Sequence, residues 1–181
     1  MAIKDADKKE HYQKGLTLVH GNMEFVEGGG LCQLSNLLFQ IFLNSPLAIV
    51  ERHTHRVKDF PDPMKETLKG IDATIAEGFL DLKVKNNTTS TFQICITFDE
   101  EYIYGKLLCN ESNINTFCIK NKNLQYFKKE QKIYEQVDIY REEIQNGVII
   151  KEEKLYTNIT QIGYPLPDTV KIIEKEDFKN E

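Results

Sequence analysis

Residues 24–55 read EFVEGGGLCQLSNLLFQIFLNSPLAIVERHTH, and this stretch decides both the fold and the chemistry. Three glycines, Gly28, Gly29 and Gly30, lead into Cys32, and no charged residue occurs from Gly28 to Val50. Leu34, Leu38 and Ile41 recur at steps of three and four, with Leu31 and Phe42 beside them, while Gln33, Asn36, Gln40 and Asn44 recur on another face. That period predicts a helix over 31–44. Asn44-Ser45-Pro46 closes it, because a residue before proline avoids the helical region. The polar face is made of amides rather than of Lys and Glu, so the helix is expected to be mostly buried. The run holds too much Gln, Asn, Ser, Gly and Pro to cross a bilayer. Leu47–Arg52 then predicts a short apolar strand that ends in His53 and His55.

This order places Cys32 at a helix N-terminus. Unpaired N–H groups and the positive end of the macrodipole favour a thiolate there. The functional reading of Cys32 is a nucleophile; the structural one is a small buried apolar residue. His53 and His55 are two apart, so on a strand they share a face, and either is a candidate base. Glu51 or Asp72 would orient the imidazole, although Asp72 also reads as a plain turn residue before a strand. Gly29 and Gly30 permit close backbone approach, and with the amides of Cys32 and Gln33 they would form an oxyanion hole. Gln33 could add a side-chain donor. Ser35 lies one turn on from Cys32, and either lines the site or bonds back to its own helix. Arg52 would bind a substrate carboxylate or pair with an acid. Metal binding through Cys32, His53 and His55 lacks an evident fourth ligand, so no metal and no cofactor are expected.

Elsewhere strands dominate the reading. Ile71–Ala76, Phe79–Lys85, Thr91–Phe98 and Glu101–Cys109 read as consecutive strands, and TFQICITF alternates most cleanly. Residues 16–27 read as a hairpin turning at His20-Gly21-Asn22, and Arg56–Lys69 as a loop. Asn146-Gly147 is a two-residue turn signal, so YEQVDIYREEI and VIIKEEKLYTNI are expected to pair as a long hairpin. The rival is a helix through FKKEQKIYEQVDIYREE, carried by i,i+4 charge pairs. The fold class expected is α+β: a sheet-rich domain over 1–110 with one buried helix carrying the cysteine at its N-terminus, and a hairpin-rich extension over 111–181.

At 181 residues, with 40% hydrophobic residues and a net charge of −5, the chain can build a core and is a poor match for nucleic acid or an anionic membrane surface. The opening MAIKDADKKEHYQKG carries no signal-peptide pattern. Cys95, Cys109 and Cys118 lack metal-type spacing, and four scattered cysteines suit a reducing compartment.

The order of motifs resembles the VanW family. GGGLCQLSNLLF, PLAIVERHTH, FPD, DATIAEGFLDLKVKNNT and TFQICITF follow one another over about residues 15–110. The family pattern is a glycine run with C-Q-x-S, then V-E-R-x-x-H, then an aspartate before a strand, then D-L-x-x-x-N-x-T. The matching residues are Gly28, Gly29, Gly30, Cys32, Gln33 and Ser35; Val50, Glu51, Arg52 and His55; Asp72; and Asp81, Leu82, Asn86 or Asn87, and Thr88. The resemblance implies a cell-wall protein whose cysteine performs acyl transfer, as a transpeptidase does, on a peptidoglycan precursor or stem peptide. It makes His55 the base, since His55 holds the V-E-R-x-x-H position. The alternative it implies is a non-catalytic accessory or binding protein of glycopeptide resistance. It points to the cell envelope, whereas the polar start points to the cytoplasm. Longer relatives carry more residues before YQKGLTLVHGNMEFVEGG, so the expectation is an N-terminally shortened domain.

Overall fold

A computed structural model of the protein describes residues 14–19, 22–27, 29–62, 68–76, 78–112 and 115–174. In chain order the elements are β1 (Lys14–Val19), β2 (Asn22–Glu27), α1 (Leu31–Leu43), β3 (Ala48–Glu51), β4 (Val57–Lys58), β5 (Lys83–Lys85), β6 (Phe92–Phe98), β7 (Ile103–Cys109), β8 (Thr116–Lys129), β9 (Lys132–Gln145), β10 (Val148–Ile162) and β11 (Ile172–Glu174). Strand predominates and α1 is short, as an α+β reading requires. The chain forms two compact units that interleave in sequence: residues 1–53 with 72–114, and residues 54–71 with 115–181.

The first unit is built around α1. Antiparallel pairing joins β1 to β2, β3 to β5, and β6 to β7. The expected turn residues His20 and Gly21 lie outside the described residues, as does Gly28. The helix starts from Gly30, whose φ of 89° suits glycine, and ends at Asn44, whose backbone N–H reaches Gln40 O. Phe39, Phe42, Leu43, Leu47 and Ala73 form the buried core. Gly105 of β7 lies against Ile41 and Leu37, so the missing side chain lets the strand close on the helix.

Two expectations need correction here. The helix is half-buried rather than mostly buried: Gln33, Gln40 and Asn44 are exposed. Uncharged amides satisfy water as well as charges do, so a neutral face does not imply burial. The strands expected over 71–76 and 79–85 shrink to bridging residues and the three residues of β5. A tight turn is the reason: the amides of Phe79 and Leu80 both donate to Ala76 O, with Gly78 at φ 79°. It consumes the residues that would have extended either strand, and leaves Phe79 87% exposed.

The second unit is a five-stranded sheet in the order β11-β8-β9-β10-β4. The central pairs are antiparallel, and β4 and β11 join the flanks in parallel. Asn146 and Gly147 have φ values of 51° and 79°, the signature of a tight hairpin turn between β9 and β10. Residues 132–145 are therefore strand, and the rival helix does not form. Ile119, Phe127, Val137, Ile139 and Ile162 are buried. Glu135 is 1% exposed and sits among polar partners: Tyr126 OH donates to it at 2.7 Å and Lys58 Nζ lies at 3.5 Å. Lys58 and Lys69 both pair with Asp62. Burial alone would raise the Asp62 carboxyl, but these two ammonium groups outweigh it and hold it below its ordinary value.

Candidate active site

The site lies in the first unit, and a run of three residues, 72–74, organises it. Asp72 O accepts from Arg52 Nε at 2.7 Å. Ala73 N donates to Asn36 Oδ1 at 2.6 Å, and Ala73 O accepts from Ser35 Oγ at 2.5 Å. Thr74 N donates to His53 O at 2.8 Å. Each bond uses a backbone group of a segment that is not a regular strand, so the side chains of Arg52, Asn36 and Ser35, with one backbone bridge to His53, do what a ladder would otherwise do. The consequence is local: Thr74 Oγ1 is brought to 3.4 Å from Cys32 Sγ, within hydrogen-bond reach for sulfur.

Cys32 is the second residue of α1, and its thiol is partly buried. Ser35 also donates to Cys32 O at 3.1 Å, so the hydroxyl expected either to line the site or to bond back to its helix contacts both its helix and Ala73. The amide of Gln33 donates to Gly30 O at 3.0 Å, and its side chain is exposed. Gly29 lies against the backbone of Gly15: a Cβ at either position would overlap the other's carbonyl. Gly30 faces open space.

Arg52 and Asp72 form a close pair. Arg52 Nη2 lies 2.9 Å from Asp72 Oδ1, the Arg52 side chain is 10% exposed, and its guanidinium sits 5.3 Å from the centre of the Phe39 ring. Arg52 therefore anchors the loop to the core. His53 Nε2 is 2.9 Å from Glu51 Oε1, and Glu51 Oε2 accepts from Lys83 Nζ at 2.6 Å. Glu51 pairs with Lys83 and His53 with Thr74 in antiparallel register. Directly opposed residues share a sheet face, as do residues two apart on a strand, so Lys83, Glu51, His53 and Thr74 line one face. His55 is exposed and belongs to the second unit. Among the described residues no group of three His, Cys, Asp or Glu side chains is arranged to hold a metal ion. Among the same residues no helix is long and apolar enough to cross a membrane.

The hydrogen bond from Lys83, and after it that of His53, holds the Glu51 carboxyl down to about 2. A carboxylate depressed in the folded state stabilises the fold above its ordinary value of 4.5, and that contribution is lost as pH falls from there toward 2. Lys83→Met is expected to bring Glu51 most of the way back toward its ordinary value. Carbon-detected NMR titration of the Glu51 carboxyl reads this directly, and an unmoved midpoint would show that Lys83 is not the cause.

The sequence singled out Cys32, Ser35, the Glu51-Arg52-His53 run and Asp72, and gave no sign of Thr74, Asn36 or Lys83 as parts of the site. Asn36 was visible only as one of four amides on a face. Thr74 had no signal beyond its place two residues after Asp72.

A family model described as VanW like protein matches residues 1–108. The chain belongs to the VanW family. It is 43% identical over 174 residues to the Vancomycin B-type resistance protein VanW of Enterococcus faecalis (strain ATCC 700802 / V583), an alignment covering 95% of this chain and 63% of that protein. The chain thus spans less than two thirds of that relative's length. No solved structure matches. The VanW match takes in every residue of the site just described, from Gly29 through Lys83.

Proposed function

We propose that this VanW-family chain is a cell-wall-associated protein of glycopeptide resistance in which Cys32 carries out acyl transfer on peptidoglycan stem peptides. The observation that carries the reading is the placement of the Cys32 thiol, in the first turn of α1 and against the Thr74 hydroxyl, within a site the family's motifs surround. A helix N-terminus favours the thiolate form of a cysteine in general, and this thiol is partly accessible. The resistance context comes from the relative's name.

The reaction runs in two halves. Cys32 Sγ adds to the donor amide carbon while a general base takes the thiol proton, the role that the family's V-E-R-x-x-H pattern gives to His55. The C–N bond breaks, the leaving amine receives that proton, and a thioester remains. An acceptor amine then attacks the thioester carbon, loses its proton to the same base, and expels the thiolate, which is reprotonated. The glycine turn at Gly30 lets the donor backbone approach. Gly30, Gln33, Ser35, Arg52 and His53 form the surrounding substrate and oxyanion region, with Gly29 packed behind it against Gly15.

A second reading, a non-catalytic accessory that binds a wall precursor, is favoured by one observation. The Gln33 amide already donates to Gly30 O and Arg52 already holds Asp72, so an oxyanion donor and a carboxylate clamp are both engaged internally. Intact-mass analysis after incubation with muropeptides separates the two. Acyl transfer gives an adduct of stem-peptide mass on the natural protein and none on Cys32→Ala. Binding retained in both proteins with no adduct from any donor establishes the accessory role instead.

A further inference from the structure

We propose that Thr74 is a positioning residue for Cys32, its hydroxyl holding the sulfur and donating a hydrogen bond to the thiolate, with Ser35 and Asn36 acting as the clamp that keeps it there. The inference rests on the reading of Cys32 as a nucleophile and adds to it the residue that sets the nucleophile's geometry.

The argument is one of accounting. Residues 72–74 cross the front of α1 without forming a strand, yet their backbone groups are satisfied in turn by Arg52, Asn36, Ser35 and His53. Ala73, between them, is fully buried. Two of those donors and acceptors, Ser35 and Asn36, come from the helix that carries Cys32 in its first turn. The helix therefore fixes residue 73 by its own side chains, and by doing so fixes which way Thr74 faces. The result is the 3.4 Å contact between Thr74 Oγ1 and Cys32 Sγ. With a neutral thiol either atom can donate; with a thiolate only the hydroxyl can, and a bond to a charged acceptor is the stronger kind. The charged groups on the sheet face that Thr74 shares are His53, Glu51 and Lys83, joined in a chain of hydrogen bonds, and the Arg52–Asp72 pair flanks it in sequence. Glu51 and Asp72 are thus each paired with a cation, which limits the repulsion a new negative charge at Cys32 would meet.

Thr74→Val removes the hydroxyl and keeps the shape. Losing a hydrogen bond to the thiolate leaves roughly tenfold less thiolate at neutral pH. The thiolate that remains is more basic and about threefold more nucleophilic, because reactivity rises with basicity with a slope near 0.4–0.5. The net expectation is that iodoacetamide alkylates Cys32 about threefold more slowly in Thr74→Val than in the natural protein at pH 7. At a pH where both thiols are ionised, the variant reacts about threefold faster. That crossing of the two profiles is something a packing defect would not produce. Thr74→Ser restores the natural profile. Alkylation is followed on the Cys32 peptide by mass spectrometry, which separates it from Cys95, Cys109 and Cys118, and Thr74→Ala serves as the hydroxyl-free variant if Thr74→Val does not fold. Superimposable profiles for the natural protein and the hydroxyl-free variant overturn the inference, as does a Thr74→Ser protein that behaves like Thr74→Val. No acyl donor enters this experiment. An absent muropeptide adduct with the crossing intact defeats the acyl-transfer reading alone, and an adduct without the crossing defeats this one alone.

Discussion

Gly29→Ala is expected to prevent the first unit from folding stably. The added Cβ would fall on the Gly15 carbonyl, with Gly15 Cα itself only 2.9 Å away. The obstacle is backbone on both sides, so no side-chain rotation relieves it, and either β1 or the turn before α1 must move. Overpacking that can relax costs about 1–3 kcal/mol. This one cannot relax locally, so a loss above about 3 kcal/mol is expected, a large share of the 5–15 kcal/mol that holds a typical domain. Gly30→Ala is the matched control. Gly30, unlike Gly29, has a positive φ, 89°, and nothing lies near its would-be Cβ. Its cost is the left-handed backbone alone, about 1–2 kcal/mol. Thermal or urea unfolding of the two variants side by side reads the difference. A Gly29→Ala protein as stable as Gly30→Ala would mean that the contact between the first strand and the glycine turn does not hold in solution.

That result bears on why the glycine run is there. From sequence, Gly29 and Gly30 were both candidates for a substrate-facing turn. The geometry gives them different tasks: Gly29 is small because a neighbouring strand requires it, and Gly30 because the helix start requires its φ. Of these two, Gly30 is the one that faces open space where a ligand backbone could approach.

The features legible in the sequence are the local ones. The 3.6-residue period marked α1, the alternation in TFQICITF marked β6, and Asn146-Gly147 marked the turn between β9 and β10. Each signal lies within one element and its immediate flanks. The features that were not legible depend on partners distant in sequence. Nothing near Val57 announces its parallel pairing with Gln161, which places residues 54–71 with the C-terminal strands. Nothing near Thr74 announces Cys32, forty-two positions earlier. Ser35 shows the intermediate case. A serine one turn after the cysteine reads equally as site lining or as self-capping, and only the position of Ala73 O reveals that its hydroxyl spans both helix and loop.

His55→Ala is expected to slow formation of the stem-peptide thioester by about 10²–10⁴, the usual contribution of a positioned general base. His53→Ala is expected to slow it less than about tenfold, because His53 Nε2 is already engaged with Glu51 Oε1 and its role is then to complete the polar face beside Thr74. The two residues are near neighbours with the same side chain, so the comparison controls for general effects of removing an imidazole. Stability should separate them as well: His53 contributes its backbone carbonyl to Thr74 N, which alanine preserves, and a solvent-screened side-chain pair with 36% and 32% exposure, whose loss costs little. Single-turnover adduct formation, followed by intact mass on both variants, is the measurement. If His53→Ala instead carries the large loss, the base is His53. The Glu51–His53 pair then forms the acid and imidazole of the triad in place of Asp72 and His55, on the sheet face that already holds Cys32's hydroxyl partner.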